Sequence, residues 1–150
     1  MNRREIHDRG VRYVTQALRR RGAHVETHKG NDPITLSVNG LTVAVRVAQS
    51  RVAPHHVTVG GRSYHYSYPT IHWNLHVHGA RGCQPDVWVL VVVGAPVRVF
   101  IVPAEVIGSS AKTAQLLDTE RARQRKGAKL RAYEGHWAVI IGRQAKEQAA

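Results

Sequence analysis

The sequence predicts an α+β chain with a mixed, mainly antiparallel central sheet flanked by helices. Three observations carry that expectation. The chain opens on apolar residues at helical spacing, alternates with a period of two around an Asn-Gly pair, and later brings two apolar stretches together at a Gly-Ala-Pro turn. At 150 residues, with 43% hydrophobic and 21% charged residues, it has the size and composition of one ordinary globular domain. The expected layout is a single domain over residues 1–142 and a polar tail over 143–150.

The first helix is expected over residues 3–21. Gly10, Val11, Val14, Ala17 and Leu18 form its apolar stripe, and Arg21-Gly22 supplies a terminal cation and a glycine stop. Arg9, Arg12, Gln16, Arg19 and Arg20 fall on another face, which suits either plain solvation or contact with phosphates. A short strand is expected over 23–28 and a turn over 29–33.

Residues 34–47 read as a hairpin, because both positions of a type I′ turn need positive φ and Asn39-Gly40 supplies them. That tip pairs Val38 with Leu41, Ser37 with Thr42, Leu36 with Val43 and Thr35 with Ala44. Ile34, Leu36, Val38, Val43, Val45 and Val47 then face a core, while Thr35, Ser37, Thr42, Ala44 and Arg46 form an opposite face of small or polar residues. Pro54, Gly60-Gly61 and Pro69 mark 49–70 as a loop, and alternation resumes over 71–78. A second hairpin spans 86–102, and Pro103 opens a weak helix running to about 117. A last element over 133–141 contains Trp137.

Charge narrows the function. Lys and Arg number 22 against 10 Asp and Glu, a formal net charge of +12, which favours a polyanionic partner, nucleic acid before an anionic membrane surface. The excess is uneven: no acid lies between Asp32 and Asp86, whereas Arg46, Arg51, Arg62, Arg81 and six of the 10 histidines do. A basic segment later carries Arg121, Arg123, Arg125, Lys126, Lys129 and Arg131. The lone Cys83 excludes an intrachain disulfide and a Cys-only zinc site, and no apolar run is long enough for a membrane-spanning helix. A cytoplasmic location is expected.

The opening helix with Arg21-Gly22, the hairpin Thr35-Leu36-Ser37-Val38-Asn39-Gly40-Leu41-Thr42-Val43-Ala44-Val45-Arg46, the stretches Ile71-His72-Trp73-Asn74-Leu75-His76 and Phe100-Ile101-Val102-Pro103-Ala104, and the closing Tyr133-Glu134-Gly135-His136-Trp137 together resemble the PD-(D/E)XK nuclease-like superfamily. The resemblance implies a restriction-endonuclease-like core. It also implies an aspartate on the first hairpin arm and an acid-X-lysine on the second, jointly holding Mg²⁺. This chain departs from that pattern: Ala44 stands at the acid, Arg46 at the lysine, and Thr35 across from Ala44. Threonine and alanine give a hard divalent ion no carboxylate, and an arginine stays charged and cannot shuttle a proton.

Other chemistry is thinner. His72, His76 and His78 share a strand face on which i, i+2 imidazoles can chelate a transition metal, with His55, His56 and His65 as further ligands; with no Cys or carboxylate companion at ordinary ligand spacing, a hydrogen-bonded polar sheet face accounts for them better. Tyr64, Tyr66 and Tyr68 suit stacking on bases or packing beneath a loop. Ser109, Ser110 and Cys83 lack an identifiable base.

The expected function is therefore non-catalytic binding of nucleic acid, duplex DNA before RNA on the strength of the resemblance, through phosphates and with little base readout. Arg9, Arg12, Arg19, Arg20, Arg46, Arg51 and the 121–131 cations are the expected contacts, with no cofactor. An active endonuclease using Mg²⁺ with acids migrated to Glu5, Asp8, Glu26 or Asp32 is the first alternative. A basic structural subunit of a nucleoprotein or phage-type assembly is the second. The sequence leaves room for a homodimer or a larger nucleoprotein assembly.

Overall fold

The computed structural model describes residues 2–27, 35–75, 84–108, 111–117 and 128–141. It begins with helix α1, Arg3–Arg20, whose start is set by a capping box: Asn2 Oδ1 accepts from the Glu5 amide at 2.9 Å and Glu5 Oε2 accepts from the Asn2 amide at 3.1 Å. Gly10, Val14, Ala17 and Leu18 are its buried residues, as the apolar stripe predicts.

Eight strands follow among the described residues: β1 (Val25–Thr27), β2 (Thr35–Val38), β3 (Leu41–Ala48), β4 (Arg51–Val59), β5 (Arg62–Asn74), β6 (Val87–Val92), β7 (Arg98–Pro103) and, after the single turn α2 (Ala104–Ile107), β8 (Thr113–Leu117). A 3₁₀ segment, Ala128–Tyr133, precedes a short helical stretch at 138–141. The strands form two sheets, five-stranded in the order β1-β2-β3-β6-β7 and three-stranded in the order β4-β5-β8. Only β3 and β6 pair in parallel among the described strands, so the architecture is the mixed, mainly antiparallel α+β arrangement that the sequence predicts.

The β2–β3 hairpin has the predicted register, Thr35 with Ala44 through Val38 with Leu41, and Asn39 and Gly40 take φ of 52° and 87°. One face of the five-stranded sheet packs Leu36, Val38, Val43, Val45, Val89 and Val91 against Val14 and Leu18 of α1. The opposite face packs Ala44, Trp88, Leu90 and Phe100 against Ile71 and Trp73 of β5 and Leu116 of β8. Because both faces are covered, every residue of β6 is buried, which explains its unbroken apolar run. The indole of Trp73 joins the two sheets, donating to the Val91 carbonyl at 3.0 Å.

Four sequence-based expectations are corrected. Residues 49–70 are not a loop but most of a long hairpin, β4–β5, turned by Gly60 and Gly61 at φ of 59° and 79°. Its prolines fit because β4 is an edge strand, and β5 at Pro69 pairs on the β4 side alone. The helix after Pro103 lasts one turn, and residues 113–117 are a strand that buries Ala114 and Leu116 alternately against β5. The first strand is shorter than 23–28. Finally, the small and polar face of the β2–β3 hairpin is covered at Ala44, 2% exposed, and Arg46, 8% exposed, while Thr42 nearer the turn stays exposed. The second sheet provides that cover, and a small neutral residue carries no sequence mark of which layer lies over it.

The predicted turn at 29–33, the outer part of the strand at 71–78 and the tail at 143–150 lie outside the described residues.

Candidate nucleic-acid interface

The expected metal position can be read from one row of cross-strand partners. Thr35 pairs with Ala44, Ala44 with Trp88, and Trp88 with Val102, so the four share one face of the five-stranded sheet. Trp88 is 1% exposed and fills the space beside Ala44. Arg46, two residues along β3, lays its guanidinium over the indole, 5.2 Å from the ring centroid, and its Nη1 donates to the Val45 carbonyl at 2.9 Å. A magnesium ion finds no carboxylate in this row, and its residues do not fit one. Among the described residues, no three His, Cys, Asp or Glu side chains gather at metal-binding range.

The first half of α1 lies over the same end of β3. Gly10 sits directly on Val47, so closely that a Cβ at position 10 would stand 2.6 Å from Val47 Cγ2. His7, one turn earlier and half-buried, is held below its ordinary pKa of 6.5. Burial is the main cause; Asp8 opposes it and the Arg46 charge adds to it. Three of the four candidate migrated acids are described, two of them one turn apart on α1 and the third on β1. Glu5 serves the helix cap, Asp8 is exposed on α1, and Glu26 of β1 pairs at the surface with His24, just before the strand, at 2.9 Å. Asp32 lies outside the described residues.

The expected phosphate contacts divide similarly. Arg9, Arg12, Arg19 and Arg20 are all exposed and run along one side of α1 with Tyr13 and Gln16, Arg9 and Arg20 being about 16 Å apart along the axis. Arg51 is exposed at the base of β4. Arg46 is interior. Lys129 is exposed and donates to the Val106 carbonyl at 3.1 Å, and Arg131 is half-buried. Arg121, Arg123, Arg125 and Lys126 lie outside the described residues. Arg3 and Arg4, passed over in the sequence, extend the exposed cations of α1 to its first turn, and Arg62 adds another beside the β4–β5 turn. Reading 49–70 as a loop hid Arg62; the Gly60-Gly61 pair was the signal.

Among the described residues, the histidines form no ligand set. His56 and His65 are cross-strand partners with ring centroids 4.3 Å apart. His72 is seven residues farther along β5, roughly 23 Å at strand rise. His76 and His78 lie outside the described residues.

No family model and no curated protein matches this chain. Among solved structures it is similar to a bacterial homing endonuclease, I-Ssp6803I, with a TM-score of 0.64 and 18% identity, over 99% of this chain and 97% of that one. The fold is nuclease-like. In this nuclease-like fold no helix is long and apolar enough to cross a membrane, among the described residues.

Proposed function

We propose that this chain binds duplex DNA through its phosphates and does not cut it, on a nuclease-like fold whose metal site has been lost. The observation that carries the reading is the row Thr35–Ala44–Trp88 with Arg46 stacked on the indole. Where the resemblance expects two converging carboxylates and a lysine, the chain packs a hydroxyl, a methyl, an indole and a fixed guanidinium. The formal charge of +12 and the exposed arginines of α1 support a polyanionic ligand. The homing-endonuclease likeness favours DNA as that ligand.

The deciding experiment incubates purified protein with supercoiled plasmid, with and without Mg²⁺ or Mn²⁺. The expected result is retardation that weakens steeply with salt and no nicking under either ion. Nicking abolished by Asp32→Ala would overturn the non-catalytic reading and establish the endonuclease alternative. Absence of binding at low salt would overturn both.

A further inference from the structure

The β4–β5 hairpin is built unlike the rest of the molecule. Nine cross-strand pairs run from Arg51 with Thr70 to Val59 with Arg62, about 27 Å of ribbon at ordinary strand rise. β8 pairs β5 only from Thr70 to Asn74, so beyond Thr70 the ribbon has no third strand among the described residues. On the face that carries Val52, His56, Thr58, Ser63 and His65, every side chain from Val52 to Ser67 is exposed, and near the tip Val59 and Tyr64 of the other face are exposed as well, with Val52 at 70%, Val59 at 61% and Tyr64 at 42%. A bare two-stranded ribbon is marginal in water and gains from a partner that covers it.

Charge and shape identify that partner. The ribbon lies within the acid-free stretch between Asp32 and Asp86, with Arg51 at its base and Arg62 at its tip. The register puts Thr58 beside Ser63 and His56 beside His65, which gathers two hydroxyls and two imidazoles on one face. All four donate and accept hydrogen bonds, which is the chemistry that distinguishes base edges. A two-stranded ribbon fits the major groove of B-form DNA, about 12 Å wide, whereas the major groove of duplex RNA is too deep and narrow for side chains to read.

We propose that the β4–β5 ribbon enters the DNA major groove with His56, Thr58, Ser63 and His65 toward the bases and Arg62 at the phosphates beside the tip. This rests on the DNA-binding reading, and it replaces the expectation of little base readout with a specific reading face.

Two measurements test it. In the first, the unaltered protein selects from a randomised 30-base-pair DNA library, and the His56→Ala/Thr58→Ala/Ser63→Ala/His65→Ala variant is then measured on selected and unselected duplexes. The variant is expected to lose roughly tenfold or more of the preference for the selected duplex while holding unselected DNA through the α1 arginines. In the second, which needs no variant, the unaltered protein is measured on the same duplex with glucosylated 5-hydroxymethylcytosines, whose sugars fill the major groove. A fall of roughly tenfold or more is expected. Equal affinity for plain and glucosylated duplexes, or a variant with undiminished preference, overturns the ribbon proposal and leaves DNA binding standing. A variant that binds DNA as before but changes its sedimentation mass assigns the ribbon to a second copy of the chain, which also overturns it. Failure of the unaltered protein to bind any duplex overturns the DNA-binding reading itself.

Discussion

The Arg46 guanidinium lies over the Trp88 ring, 5.2 Å from its centroid. The two residues define an interior that favours a flat, permanently charged group. A lysine there keeps the charge but loses the planar stack and the fixed fork of donors. Arg46→Lys is therefore expected to cost about 1–2 kcal/mol of folding stability in urea denaturation. It is also expected to leave plasmid uncut in Mg²⁺ or Mn²⁺, because Ala44 and Thr35 still supply no carboxylate. Nicking by this single variant would show that the acids come from elsewhere.

Gly10 and Val47 set the distance between α1 and the sheet. An added Cβ would meet both Val47 methyl groups, at 2.6 and 2.7 Å, so the helix must shift or the valine must move. Glycine-to-alanine in a helix normally stabilises by up to about 1 kcal/mol, so a loss here would isolate the clash. Gly10→Ala is expected to destabilise by about 1–3 kcal/mol, and Val47→Ala in the same chain to cost less than the two changes summed. A double-mutant cycle in denaturant measures the coupling.

The legible and illegible parts of this fold differ in physical kind. Asn39-Gly40 imposes one turn geometry, and a period-two pattern on each side leaves one register, so the β2–β3 pairing was readable residue by residue. The β4–β5 ribbon gave no such pattern, because the face that carries Val52, His56, Thr58, Ser63 and His65 is exposed and its prolines sit where a central strand would forbid them. Residues 113–117 are too short for their period to separate strand from helix. In the candidate site, the identities of Thr35, Ala44 and Arg46 were plain from the sequence. Trp88 as the group that fills the row was not, because the parallel β3–β6 pairing joins residues far apart in the chain.

His7 makes stability depend on pH in a defined direction. Its folded pKa lies below the ordinary 6.5, so near that value the unfolded chain binds more protons. The stability held by neutral His7 is complete above pH 6.5 and is lost as pH falls from there through the lowered folded value. His7→Gln is expected to flatten the fall in urea midpoint between the two pKa values relative to the unaltered protein, with little difference at pH 8. A parallel fall in both proteins would remove His7 from the acid sensitivity.

The exposed arginines of α1 give the DNA-binding reading its quantitative check. Each phosphate contact releases counterions and contributes about 0.9 to the slope of log affinity against log salt. Arg9 and Arg12 lie one turn apart on the exposed side of α1, near the end of β3 from which the ribbon starts; Arg19 and Arg20 lie at the other end of the helix. If both ends touch one duplex, Arg9→Ala/Arg12→Ala and Arg19→Ala/Arg20→Ala are each expected to lower the slope by about 1–2, and to do so additively. Sequence preference should be unchanged, since phosphates carry no base identity. A salt titration by fluorescence anisotropy on one selected and one unselected duplex reads both quantities. Unchanged slopes in both variants would place these arginines on a solvated helix face and move the phosphate contacts elsewhere on the chain.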